Sequence, residues 1–304
     1  MSEKVRVFVG TDRSQLLAVK ILEHSIKRNT TLDVEVIPMQ DLPIRQPQDP
    51  RNSQRTGFSF SRFCIPKLAG YRGKAIYLDA DMLVFKDIES LWNIPFDGAK
   101  VIIQENIPAD KQTTDKIGAP QERVKQCSVM ILDCDRLEWD IDQIIDGLDR
   151  GQYDYDDLMK NLCILKESEI KYGVPFKWNS LEYYDRETCL IHYTDMYTQP
   201  WISTENKNGY LWINEVRRML KDGSLTMADV EKEIGLSYFR PSLIRDIKYL
   251  HLIPDFGQKT YQNANKNLDK QKKFVGHKEV YANKRRRMQA IADYERSLAN
   301  IPQV

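Results

Sequence analysis

Short apolar runs separated by polar turns recur through the first two-thirds of the chain. Val5 to Val9 reads as a buried strand, with Gly10-Thr11-Asp12 as the turn that follows it. Asp12 or Ser14 is placed to cap a helix whose apolar face is Leu17, Ile21, Leu22, Ser25 and Ile26. Val34 to Ile37 is the next strand, so the chain opens with a βαβ unit. Its first turn lacks the Gly-x-Gly-x-x-Gly spacing of a dinucleotide fingerprint. Residues 41–57, rich in Pro, Gln, Arg and Asp, read as a loop. Phe58 to Ala69 reads as a helix, with Pro66 as a kink or break and Gly70 as its stop. Ala75 to Leu78, Met82 to Phe85, Val101 to Ile103, Val129 to Leu132 and Leu190 to Tyr193 are further strands, and Asp87 to Trp92 is a helical turn or two.

This alternation predicts an α/β fold to about residue 200, followed by a polar, helix-prone segment. We place the boundary after residue 202, with 1–202 as the binding and catalytic domain and 203–304 as a helical C-terminal extension. Met288, Ile291, Tyr294, Leu298 and Ile301 recur at helical spacing and predict a final amphipathic helix, with Lys284-Arg285-Arg286-Arg287 at its start.

The chain has 304 residues and a formal net charge of +1, which gives no global electrostatic case for nucleic acid as a partner. No segment is apolar over the length of a membrane span, and the first nine residues lack the apolar core of a signal peptide. The five cysteines are odd in number and form no Cys-x-x-Cys pair, so neither a disulfide framework nor a cysteine zinc site is favoured. A reducing, cytoplasmic compartment is the expectation.

The chemistry concentrates in Tyr77-Leu78-Asp79-Ala80-Asp81. Two carboxylates at the end of a buried strand repel each other and are costly to desolvate. A divalent cation removes both penalties, and Mg²⁺ or Mn²⁺ prefers one or two carboxylates plus phosphate oxygens. Asp-x-Asp also occurs in solvated turns and at helix caps, and on these residues alone both readings stay open. Of the four histidines, His24 falls in the first helix, His251 beside a leucine-rich stretch and His277 in the polar tail. His192 ends a strand, where a neutral imidazole suits a third metal ligand. A strand histidine hydrogen-bonded in the core is the commoner case. Trp178, Tyr183 and Tyr184 offer aromatic faces for a sugar, or are ordinary core aromatics.

Asp79-Ala80-Asp81 after Ile76-Tyr77-Leu78, Ser61-Arg62-Phe63 upstream, and His192 followed by Pro200-Trp201 together resemble glycosyltransferase family 8 over about residues 5 to 202. The resemblance implies a GT-A fold, Rossmann-like with a mixed central sheet. It implies a metal-dependent, retaining transfer of a hexose from a UDP-sugar to a glycan, lipid-linked or other hydroxyl acceptor. Asp79, Asp81 and His192 match the family's metal ligands, and Mn²⁺ or Mg²⁺ would be the ion. Thr11 and Asp12 lie where its first loop holds the base, Arg62 matches an arginine that contacts the donor, and the Asp79-Ala80-Asp81 turn faces the nucleotide. Gln126 and Ser128 fall in the stretch lining the sugar pocket. Asp156 would bind donor-sugar hydroxyls, and Asp157 stands where the family has a glutamine beneath the anomeric carbon. Gln199 replaces a lysine that neutralises donor phosphate, with Lys177 or Arg186 as substitutes.

Rival classes are weaker. A haloacid-dehalogenase-like phosphatase also places Asp-x-Asp after an apolar strand, but in its first strand and with a small hydroxyl residue where this chain has Leu83. A protein that binds nucleotide sugars without transferring them has the same motifs. Thr226 to Ser237 faintly resembles part of a helix-turn-helix, and a helix ending at Gly235 explains it as well. The basic run at 284–287 would suit peripheral contact with anionic lipid, although a solvated helix face is the commoner meaning.

Overall fold

The computed structural model describes residues 4–106 and 125–299. Met1-Ser2-Glu3 and Ile301 lie outside them. Strand β1 (Val5–Gly10), helix α1 (Leu16–Arg28) and strand β2 (Val34–Met39) form the opening βαβ unit. Val7 and Val9 pack on one face of the sheet and Phe8 on the other. Ile76 and Leu78 oppose Tyr77 in the same way, the two-residue period of a strand buried on both faces. All five apolar-face positions read for α1 are buried.

The segment predicted as a helix over 58–69 is a 3₁₀ turn at Ser61–Cys64 leading into a short α2 (Ile65–Leu68). Pro66 falls in the first turn of α2, where its missing N–H costs nothing, so it starts a helix rather than kinking one. Strands β3 (Lys74–Asp79) and β4 (Met82–Val84), helix α3 (Glu89–Trp92), and strands β5 (Val101–Gln104) and β6 (Val129–Asp133) follow. Then come helices α4 (Ile141–Asp149) and α5 (Tyr155–Asn161), and strands β7 (Ile170–Val174), β8 (Ser180–Leu181) and β9 (Leu190–His192). Sequence reading missed β7 and β8.

The main sheet has the order β2-β1-β3-β6-β5-β7. β1 pairs in parallel with both β2 and β3, while β6 runs antiparallel to β3 and to β5. A second sheet, β4-β9-β8, carries His192 opposite Met82. The chain leaves β1 toward β2 on one side and reaches β3 on the other, so a crevice opens at the carboxyl ends of β1 and β3. Gly10 and Asp79 are register partners there.

Helices α6 (Gly209–Asp222), α7 (Met227–Gly235) and α8 (Leu243–Tyr249) share a core with α1 and the second sheet, including Leu17, Ile21, Leu83 and Ile191. Trp212 lies 5.4 Å from Trp201 and edge-on to Phe239 at 5.9 Å. Thr226 caps α7 in a capping box, so the segment resembling a helix-turn-helix is a conventionally capped helix. His251 is exposed rather than packed.

Helix α9 (Asp255–Gln271) and helix α10 (Lys278–Ala299) are the last elements among the described residues. α10 buries no residue, and Met288 and Leu298 are exposed, so the apolar stripe does not form a packed face. What holds α10 is largely polar and aromatic. Arg287 donates to the Arg51 carbonyl at 2.6 Å, the Arg51 guanidinium lies over Tyr294, and Tyr281 stacks on Tyr197. Among the described residues no helix is long and apolar enough to cross a membrane.

Arg240, 1% exposed, ties the extension to the loop after β9. It donates to the Pro200 carbonyl at 3.0 Å and pairs with buried Asp246, which also accepts from Asn265. Removing one partner of such a pair leaves an uncompensated buried charge. Asp246→Ala should therefore lower unfolding free energy by roughly 3–5 kcal/mol in urea melts. A loss no larger than that of an exposed ion pair would show that water reaches Arg240.

Candidate metal centre

The centre is built where β3 runs out. Asp79 is the last residue of β3, and Asp81 follows after Ala80, whose methyl is buried. β9 brings His192 alongside through its pairing with β4, and Tyr193 N–H donates to the Asp81 carbonyl at 2.8 Å. His192 Nε2 lies 3.0 Å from Asp81 Oδ1 and 3.9 Å from Asp79 Oδ2. One ligand atom from each residue falls within 4.8 Å of the others. The side chains of Asp79 and Asp81 are 19% and 17% exposed and that of His192 is 7% exposed, so the acids reach solvent through a narrow opening while the ring is enclosed.

Each acid has its own support. Tyr77 donates to Asp79 Oδ1 at 2.5 Å, crossing close over Gly10, where any Cβ would collide with the phenol. The buried Arg62 guanidinium donates to the Tyr77 hydroxyl at 3.1 Å and to the Cys127 carbonyl at 2.6 Å, and lies 3.8 Å from Asp79. Gln199 donates to Asp81 Oδ2 at 2.9 Å and to the Tyr193 carbonyl at 3.0 Å. Its Oε1 is buried without a donor. An orphaned acceptor beside two carboxylates and an imidazole nitrogen is a donor set that suits a hydrated divalent cation.

Other expected site residues sit at varying distances from this network. Thr11 is buried, and Asp12 caps the first turn by accepting from Ser14 N–H at 2.8 Å, both at the end of β1. Ser128 accepts from Asn179, which contacts His192, and buried Gln126 precedes it. Asp156 pairs with Arg55 at 2.6 Å and Lys160 at 2.9 Å. Asp157 belongs to the capping box of α5. Among the described residues neither acid hydrogen-bonds to the Arg62–Asp79–His192 network. Arg186 lines a separate groove with Arg28 and Lys86, Trp178 is core, and Tyr184 packs on Phe85.

Sequence reading overlooked several participants. Tyr77 had a signal, since residues two apart share a strand face with Asp79. Gln104 had one as well, a polar end to an apolar strand. Asn179 and Glu182 had none. Glu182 accepts from Asp195 N–H at 3.0 Å and from Asn206 at 2.9 Å, holding the loop after His192. His277 is not a tail residue. It is buried at the turn between α9 and α10, with φ of 52°. Burial holds its pKa below the usual value, against the opposing pull of Asp12, the Met196 backbone and Asp81.

The mixed sheet with paired acids at a strand end has the GT-A fold, and solved structures align with it. The apo form of the WbbM bifunctional glycosyltransferase aligns with a TM-score of 0.50 at 14% identity, over 71% of this chain and 50% of that one. The glycosyltransferase GlyE of Streptococcus pneumoniae TIGR4 aligns at 0.50 and 16%, over 70% and 60%. An active-site mutant of LgtC aligns at 0.51 and 14%, over 70% and 95%. The chain thus spans half to three-fifths of the first two. Residues 3–134 match the family model described as Glycosyl transferase family 8. Protein CDI of Arabidopsis thaliana is 27% identical over 235 residues, 71% of this chain and 88% of the relative.

Asp79 and His192 are both shifted upward. For Asp79 burial dominates, opposed by Arg62 and His192 and reinforced by Asp81. For His192 burial pulls down, and the charge and hydrogen bond of Asp81, with Asp79, outweigh it. A group raised in the folded state stabilises fully below its unfolded pKa, and that contribution fades as the pH rises through the folded value. Metal ligation needs the same groups free of protons, so it follows the opposite trend. The rise in Tm on adding Mn²⁺ should be small near about pH 5 and grow toward about pH 8. Differential scanning fluorimetry would read it, and Asp81→Ala should flatten the response.

Proposed function

We propose that this chain transfers a hexose from a UDP-sugar to a hydroxyl acceptor with retention of configuration, aided by Mn²⁺ or Mg²⁺. The observation that carries this reading is the convergence of Asp79, Asp81 and His192 at the carboxyl end of β3, beside the β1 turn. When bound there, the ion supplies Lewis-acid stabilisation of the departing diphosphate.

The chain's own residues do the rest. Arg62 and Tyr77 hold Asp79 oriented toward the opening, and Gln199 and the Tyr193 backbone hold Asp81. Thr11 and Asp12 face the base and ribose from the end of β1, and Ala80 lets the nucleotide approach the turn. Gln126 and Ser128 line the sugar pocket. Asp156 binds sugar hydroxyls, and Asp157 faces the anomeric carbon, where a carboxylate stabilises the oxocarbenium-like charge that develops. Gln199 is committed to Asp81 and supplies no positive charge to the phosphates. Residues 1–202 hold this machinery, and 203–304 buttress its loops. The family match favours transfer over phosphatase chemistry, as does Leu83, buried in β4 with no hydroxyl to offer.

Calorimetric titration with UDP tests the reading. Binding should require Mn²⁺, and Asp81→Ala should weaken it by more than about 100-fold, beyond the 10- to 100-fold typical of groups that only support a ligand. UDP binding indifferent to both metal and mutation would remove the carboxylate–metal mechanism. Release of UDP from UDP-glucose or UDP-galactose would then identify the donor.

A further inference from the structure

Behind His192 lies a chain of buried side chains. His192 Nδ1 is 3.0 Å from Asn179 Oδ1. Asn179, with no exposed surface, donates through Nδ2 to Gln104 Oε1 at 2.7 Å and to Ser128 Oγ at 3.0 Å. Gln104 is 2% exposed, and its Nε2 has no partner. Ligating a cation uses the Nε2 lone pair of His192, so the ring proton must sit on Nδ1. Of the two ends of the Asn179 amide, only Oδ1 accepts that proton. The two hydrogens of Nδ2 are then both placed, one on Gln104 and one on Ser128. Turning the amide over would set an N–H of Asn179 against the Nδ1–H that ligation through Nε2 requires, two donors face to face, and would need Gln104 to turn as well.

We propose that Asn179 is the positioning residue of the metal centre, fixing His192 as the Nδ1–H tautomer with Nε2 aimed between Asp79 and Asp81. The inference rests on the metal reading of those three residues. It also connects the metal ligand to Ser128 through a single amide, so the ring's orientation and the floor beneath Ser128 are set by one side chain.

Asn179→Leu removes the acceptor. Asn179→Asp keeps it, because Ser128 can rotate its hydroxyl to donate and Gln104 can turn its unpartnered N–H toward the new oxygen. Mn²⁺ affinity of the full chain, with UDP present, is read from the free-ion signal in electron paramagnetic resonance. Asn179→Leu should weaken it by about 10- to 100-fold, the usual cost of losing the group that orients a ligating histidine. Asn179→Asp should stay close to wild type. The ¹⁵N resonances of His192 in the Mg²⁺–UDP complex should show the proton on Nδ1. Wild-type affinity in a folded Asn179→Leu, or a proton on Nε2 in the loaded wild type, would overturn the proposal alone. If Asn179→Leu does not fold, the nitrogen resonances and Asn179→Asp still decide, and weak binding by a folded Asn179→Asp counts against it. If wild type binds Mn²⁺ no better than Asp81→Ala, the metal reading falls, and this inference with it.

Discussion

Two carboxylates held at the end of a buried strand, with ligand atoms less than 5 Å apart, are the constraint from which the rest of the centre follows. At that separation and an effective dielectric constant of about 20, their repulsion is roughly 3–4 kcal/mol when both are charged. Each neighbour answers it. Arg62 brings a full positive charge that solvent hardly reaches, Tyr77 relays it to Asp79, and His192 takes the space between the acids. Gln199 contributes a dipole where a second cation would cancel the charge altogether. The result is a centre compensated enough to fold and negative enough to attract a divalent ion.

The fold places this constraint by topology. β1 sits between β2 and β3, so the chain diverges at the ends of β1 and β3, and backbone from neither strand closes the crevice. The second sheet then carries His192 in from a part of the chain more than a hundred residues away. Helices α6–α8 grip the loop after it through Arg240 and the Trp201–Trp212–Phe239 cluster. A local motif thus becomes a site only when three separate packing events agree.

That division explains what the sequence disclosed. The buried strands were legible because Val5–Val9, Ala75–Leu78 and Val129–Leu132 are continuous apolar runs, and both acids were legible because they break one. The 58–69 segment was misjudged because aromatic packing of Phe60 and Phe63 favours a tight turn over a regular helix. β7 was missed because Lys171 and Gly173 interrupt its apolar pattern. Asn179 and His277 were illegible for a different reason. Their surroundings are assembled from distant elements, and no local pattern encodes a hydrogen bond to Gln104 or burial within reach of the Asp12 charge.

The last helix has a consequence of its own. With no buried side chain, α10 draws little from hydrophobic burial, and its attachments to Arg51 and Tyr197 lie at the surface. Its opening free energy is therefore a small part of the whole, and its amides should exchange with solvent through local opening long before those of β1 or β3. The segment leading into it carries His277, enclosed within electrostatic reach of Asp12 and Asp81. A buried imidazole that feels the charge of the paired acids is thus carried on a segment that leads into a surface-held helix, so local opening of that helix changes the electrostatic surroundings of the rigid strand end.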